Sequence, residues 1–376
     1  VNIIVMLKAT KFNIADSNIA NLGSELETKV REAAANAEAA WAEAGKAEGT
    51  QVWRIEDFNV VSWAGEFGTF YSGDSYIVLN TYKKDEALAW DVHFWLGEYT
   101  TLDEAGTAAY KTVELDDKLG GAPVQHREVC DHESALFLSY FKSKGGLTIL
   151  DGGVDSGFNH VEPESYQPRL LHIKGVKKNI RARQVALSCD SLNSGDVFIL
   201  DNGLTVYQWN GSSSGIFEKN EAAQLSRAID DERKGQATVK VLSESDDDED
   251  SAAFYALLGG KGDIKSAEEG GSDVAPPFEG KKLFKVSDES GTLEFTEVAS
   301  DADVTADKLD GADVFILDTG AEIFTWIGSG SSDQERAKSM RFAEEYMTNN
   351  NRPAYLPITR IYQGGENEVF NSQLDQ

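Results

Sequence analysis

Three aspartates and three glutamates recur at matched positions along the chain, and such a set can coordinate a hard cation. Asp74, Asp196 and Asp313 each follow a small residue (Gly73, Gly195, Ala312) and each opens a strand-like apolar run, as in Ser75-Tyr76-Ile77-Val78-Leu79. A second run carrying a tryptophan follows, and a glutamate stands nine residues beyond it: Trp95 to Glu104, Trp209 to Glu218, Trp326 to Glu335. Calcium takes about 6–8 oxygens from carboxylates, backbone carbonyls and water. Here the acids supply charge, the carbonyl before each aspartate supplies a neutral oxygen, and the small residue lets the backbone approach closely. Local chemistry offers a second reading. Ser-Gly-Asp is ordinary turn sequence, and Thr101-x-x-Glu104 and Ser332-x-x-Glu335 match the capping box. In the second copy Gly215 replaces the capping Ser or Thr while Glu218 remains, which favours the cation. No EF-hand loop is present.

The elements that must position these acids are legible from periodicity. Ala108, Thr112, Leu115 and Leu119 give the segment after Glu104 one buried stripe at the helical period, with Tyr110, Glu114 and Asp117 on another face. Similar stripes follow Glu218 (Ala222, Leu225, Ile229) and Glu335 (Met340, Ala343, Met347). The turn aspartates lie 122 and 117 residues apart, a domain length rather than a solenoid period. Strands, a helix and a further strand in each copy predict a mixed sheet covered by helices. The predicted divisions are an N-terminal arm over 1–48, repeats over 49–158, 159–262 and 281–376, and a linker over 263–280. The arm is rich in alanine and glutamate, has little to bury, and is expected as a docked or partly ordered helix.

Composition narrows the function. With 64 acids against 35 bases, a formal charge of −29 argues against nucleic acid, whose phosphates need clustered Lys and Arg. It favours divalent cations and means that an acidic protein partner must be met through local complementarity or a bridging ion. No apolar run reaches the length of a membrane span or a secretory signal. Cys130 and Cys189 are expected as reduced thiols in the cytosol. The group His126, Cys130, Asp131, His132 matches no zinc spacing, and His93, alternating within a strand, is expected as a hydrogen-bonded core residue. The acidic run from Glu244 to Asp250 reads as a solvated loop.

The combined pattern resembles the gelsolin family of calcium-regulated actin-binding proteins, in its three-domain fragmin and severin branch. The resemblance rests on His93-Phe94-Trp95-Leu96-Gly97, Asp103-Glu104-Ala105-Gly106, Gln125-His126-Arg127-Glu128 and Gly152-Gly153-Val154-Asp155-Ser156-Gly157-Phe158. It implies an α/β (α+β) fold of three tandem domains, each a mixed sheet between a long and a short helix. It also implies internal calcium sites at Gly73, Asp74, Glu104 and Val154, at Gly195, Asp196 and Glu218, and at Ala312, Asp313 and Glu335. The second site would be completed by a linker acid from among Asp263, Glu268, Glu269 and Asp273. A further calcium shared with actin would use Asp116 with carbonyls near Gly121 and Pro123.

On the same resemblance, Tyr110, Asp116, Asp117 and Phe158 would contact actin at the fast-growing filament end. Lys177, Lys178 and Lys219 would hold the filament side. Arg169, Lys174, Lys177 and Lys178 would also take phosphoinositide head groups. The implied activity is calcium-activated severing of actin filaments with capping of their barbed ends, in the cytoplasm and cytoskeleton, driven by binding energy rather than catalysis. Three rivals stand beside it: a capper that does not sever, a calcium-dependent scaffold, and an enzyme built on paired carboxylates. Three copies of the acids argue against a single active site.

Overall fold

The computed structural model describes residues 35, 38–84, 87–153, 168–176, 179–271, 280–287 and 294–374. Among them, the first repeat carries β1 (Gly49–Glu56), β2 (Asn59–Ser62), β3 (Thr69–Tyr71), β4 (Ser75–Lys84), β5 (Ala87–Leu96), helix α1 (Leu102–Lys118), β6 (Val124–Val129), the short α2 (Ala135–Ser139) and β7 (Thr148–Leu150). The second carries β8 (Arg169–Val176), β9 (Asn179–Val185), β10 (Val197–Asn202), β11 (Thr205–Asn210), α3 (Ile216–Glu232), β12 (Thr238–Ser243) and α4 (Glu249–Leu257). The third carries β13 (Lys282–Ser287), β14 (Glu294–Ser300), β15 (Val314–Asp318), β16 (Ile323–Ile327), α5 (Asp333–Asn349), β17 (Ile358–Tyr362) and α6 (Glu368–Asn371).

One plan repeats three times. Two antiparallel pairings bring together β1-β4-β5, β8-β10-β11 and β13-β15-β16, and the long helix then crosses over to a strand parallel to the last of these, β6, β12 or β17. Both faces of each sheet are covered, so the central strands read as continuous apolar runs. Along β4, Ile77 and Leu79 pack under α1 with Ala108 and Leu115, while Tyr76 and Val78 face Phe137 and Leu138 of α2. In the second repeat Ile199 lies with Ala222 and Ile229 of α3, and Phe198 and Leu200 with Phe254 of α4. The third is alike, with Ile316 against α5 and Phe315 and Leu317 against Phe370 of α6.

Trp-x-Gly recurs because of one close approach. Gly97, Gly211 and Gly328 each donate their N–H to the carbonyl of the repeat aspartate, at 2.9, 3.0 and 2.9 Å. A Cβ on any of them would lie 2.3–2.5 Å from a backbone oxygen of the turn before that aspartate. Only glycine fits there.

The repeats do not form three separate sheets. β6 of the first repeat pairs antiparallel with β17 of the third, giving a ten-stranded sheet, β14-β13-β15-β16-β17-β6-β5-β4-β1-β2. β3 and β7 join the second repeat in a seven-stranded sheet, β12-β11-β10-β8-β9-β7-β3. The described part of the arm is docked on the first repeat: Trp41 is buried, packs edge-on against Trp53 at 5.1 Å and donates Nε1–H to Glu114 at 2.8 Å. Glu114, off the apolar stripe of α1, is therefore buried, with Lys111 as its charged partner at 3.0 Å.

Candidate metal centres

Each repeat brings its aspartate and glutamate to the same end of its sheet. In the first, Asp74 is buried at the start of β4, and Ser75 Oγ shares a hydrogen bond with Thr100 Oγ1 at 2.8 Å. Thr100 in turn donates to Glu104 Oε2 at 3.3 Å, so hydroxyls link the strand start to the helix start. The chain passes close by: Gly73 N–H donates to Gly152 O at 2.7 Å, and a Cβ on Gly153 would lie 2.6 Å from Asp74 Oδ1. This is a cradle of oxygens that side chains would fill. Val154 lies outside the described residues, as does Phe158.

In the second repeat Asp196 Oδ2 accepts from Asn193 Nδ2 at 2.8 Å and pairs with His172 Nε2 at 2.7 Å and Lys174 Nζ at 3.4 Å. Burial opposes the Asp196 charge, yet these donors together hold its carboxyl below the usual carboxylate range. Glu218 is buried, with Oε1 accepting from Gly175 N–H at 3.3 Å. The linker crosses this site. Ser194 N–H donates to Lys265 O at 2.9 Å, a Cβ on Gly195 would meet Ala267 at 3.0 Å, and Lys174 reaches Gly270 O at 2.7 Å. Of the linker acids, Glu269 caps the local turn by accepting from Ser266 N–H at 2.8 Å, Asp263 and Glu268 are exposed, and Asp273 lies outside the described residues. In the third repeat Ala312 and Asp313 are more open, and Lys285 Nζ pairs with Asp313 Oδ2 at 2.6 Å.

The glutamates also perform the capping role. Glu104, Glu218 and Glu335 accept from the N–H of Thr101, Gly215 and Ser332 at 3.3, 3.0 and 2.7 Å. The inference drawn from Gly215 is therefore corrected: the glutamate's half of the box ends on a backbone N–H, which glycine retains. Capping accounts for Glu218 as well as for the other two, and the aspartates and the glycine cradle carry the cation reading.

Asp116, at the C-terminal end of α1, is buried, with Oδ2 accepting from Gln125 Nε2 at 2.7 Å and pairing with Arg360 Nη1 of β17 at 3.5 Å. Burial pushes its carboxyl up, against the Arg360 charge. Its Oδ1 is a buried oxygen with no hydrogen-bond partner, the kind of atom that an additional cation would satisfy. Gly121 folds back at φ 71°, its N–H donating to Asp116 O at 2.9 Å, and Pro123 is buried beside it. The glycine cradle beside the Asp74 carboxylate and the orphaned carboxylate oxygen of Asp116 offer the oxygen ligands that a hard cation takes.

Of the other positions singled out in the sequence, Tyr110 and Asp117 on α1 and Lys219 on α3 are half-buried. Arg169 pairs with Asp201 at 3.1 Å. Lys177 and Lys178 lie outside the described residues. Among the described residues one group of three, His93, His126 and Glu128, has metal-ligand spacing, but it is otherwise engaged. The two imidazoles stack at 4.1 Å and 11°. Their nitrogens meet Glu128 at 2.9 Å, Tyr140 at 3.1 Å, Thr359 at 2.8 Å and Asp91 at 3.3 Å. This is a buried polar network, with His93 in the core as its alternation predicts. Asp131 and His132, discounted as ligands, serve contacts between repeats: Asp131 pairs with Arg183, and His132 stacks on Tyr355 at 3.7 Å. The glycine contacts, the basic partners of the aspartates and the Arg360 contact were missed from sequence. A basic residue inside an apolar strand run was the available signal. Both cysteines are buried and unpaired, and no described helix is long and apolar enough to cross a membrane.

The gelsolin-repeat family model matches residues 66–138, 178–250 and 296–371. Gelsolin-like protein 2 of Lumbricus terrestris is 43% identical over 98% of this chain and 99% of its own length. Severin of Echinococcus granulosus is 39% identical over 95% of both. The actin depolymerising venom protein gelsolin 1 of Platymeris rhadamanthus is 40% identical over 87% of this chain and 88% of its own. With three matched repeats and a full-length relative at this identity, the chain belongs to the gelsolin family.

Proposed function

We propose that this chain is a calcium-regulated actin-binding protein that severs filaments and caps their barbed ends. The observation that carries the reading is the Arg360–Asp116 pair. The acid matched to an ion shared with actin is held by an arginine of the third repeat, across a strand seam of three residue pairs, Ile358–Arg127, Thr359–His126 and Arg360–Gln125. A partner face kept under the chain's own contacts suits a protein whose binding is switched. The venom relative supports the same reading through its name, which states actin depolymerisation.

Bound calcium would supply the positive charge that lets clustered buried carboxylates stay ionised. Asp74, Glu104 and the carbonyls of Gly73 and Val154 would hold it in the first repeat. Gly195, Asp196 and Glu218, with a linker acid, would do so in the second, and Ala312, Asp313 and Glu335 in the third. Asp116, with carbonyls at Gly121 and Pro123, would give up Arg360 as the seam opens. Helix α1 would then present Tyr110 and Asp117 to the cleft at the barbed end, with Phe158 as a second apolar anchor. Lys177, Lys178 and Lys219 would hold the filament side. Phosphoinositide head groups would have to compete with Asp201 and Asp196 for Arg169 and Lys174. The compartment would be the cytoplasm. Charge reversal at Lys177, Lys178 and Lys219 tests the mechanism: severing lost with capping kept supports it, and unchanged severing rejects the side grip.

A further inference from the structure

In every repeat the aspartate meets a basic side chain from one structural position. Arg54 stands opposite Tyr76, His172 opposite Phe198 and Lys285 opposite Phe315, in each case two residues beyond the aspartate in the paired strand. Their contacts are alike: Arg54 Nη2 to Asp74 Oδ2 at 2.7 Å, His172 Nε2 to Asp196 Oδ2 at 2.7 Å, and Lys285 Nζ to Asp313 Oδ2 at 2.6 Å. The residue type differs at each site, but the donor's position and distance do not. In the second repeat Lys174 also spans Asp196 and two linker carbonyls, Gly270 and Gly271. A nitrogen donor thus lies against one carboxylate and two neutral oxygens, much as a metal ion would.

We infer that Arg54, His172 and Lys285 are built-in competitors of calcium, one per repeat, each holding its aspartate in the ion-free protein and setting the affinity of that site. The inference rests on the calcium reading given above and deepens it. A carboxylate buried without a partner is costly, so the basic residue stabilises the ion-free form and must be displaced for the ion to bind. The strength of competition follows burial. The Arg54 and Asp74 side chains are 14% and 1% exposed, the His172 and Asp196 side chains 19% and 3%, and the Lys285 and Asp313 side chains 41% and 21%. A buried pair resists replacement more than one screened by water.

Equilibrium dialysis of the full chain with radioactive calcium tests this on Arg54→Gln and Lys285→Gln, with Lys46→Gln as a remote, exposed control for the same loss of charge. Arg54→Gln is expected to tighten one site about tenfold and Lys285→Gln only about twofold, with the control unchanged. Thermal melts supply a second readout: Arg54→Gln melts earlier than wild type in chelator but alongside it in saturating calcium. Equal tightening in all three variants would reduce the effect to net charge and overturn the inference, as would unchanged or weaker binding in Arg54→Gln. The calcium reading fails separately if wild type binds no calcium that Asp74→Ala, Asp196→Ala or Asp313→Ala removes, and the inference falls with it.

Discussion

Replacing Arg360 by glutamine should loosen the closed form and lower the calcium needed to open it. The Arg360 and Asp116 side chains are 8% and 5% exposed, and removing one partner of a tight buried pair costs about 3–5 kcal/mol. Here the separation is 3.5 Å, and Gln125 still donates to Asp116 at 2.7 Å, so about 2 kcal/mol is the working figure. The other side of the seam keeps three backbone pairs, the His126–Thr359 bond at 2.8 Å and Arg127 Nη1 to Ala354 O at 3.1 Å. The variant should therefore stay closed without calcium while its closed-to-open ratio falls by about thirtyfold. Shared over three repeat sites, that is about a threefold lower calcium midpoint. Small-angle scattering across a calcium titration reads compactness and midpoint together. A midpoint equal to that of wild type would refute the idea that this pair holds the repeats together.

Three further outcomes follow from the same contacts. Trp41→Ala should destabilise the first repeat by about 3–5 kcal/mol, because it removes a buried ring and the donor to Glu114; chemical denaturation and proteolysis of the arm would both report it. Gly97→Ala should cost more than about 2 kcal/mol, since a Cβ would lie 2.3 Å from Ser72 O, and thermal melting should show a far larger loss than for Gly106→Ala, where a Cβ meets nothing. Burial pushes the Glu128 carboxyl up to about 7. A raised carboxylate stabilises the fold fully below its unfolded value of about 4.5 and loses that contribution as pH rises through 7. Melts in chelator from pH 5 to 8 should accordingly fall more steeply for wild type than for Glu128→Gln, and parallel curves would contradict this.

The sequence made the repeat legible because each copy uses the same backbone contacts. The aspartate turn, the glycine two residues past the tryptophan and the stripe of the long helix reflect local geometry that only a few residue types satisfy. Pairing of β6 with β17 was hidden, since two edge strands join through backbone groups that every residue carries. The departure of β3 and β7 to the other sheet left no trace in composition for the same reason. Trp41 stands alone among alanines in a segment of low apolar content, yet one buried indole outweighs several methyl groups in packing. Gly215 conceals a cap because it lacks the hydroxyl that marks one, whereas Glu218 bonds its backbone N–H. The partners of the repeated aspartates lie on strands 20 to 28 residues earlier in the chain, so only the fold shows that they meet.

The most direct test of the whole account is depolymerisation of preformed pyrene-labelled actin filaments on dilution, with and without calcium, using wild type and an Asp74→Ala/Asp196→Ala pair. Rapid calcium-dependent loss of polymer, with a number of new ends proportional to added protein and a weakened response in the mutant, is the predicted result. Loss of polymer at the same rate in chelator and in calcium would contradict calcium control. No effect in either condition would contradict the proposed function itself.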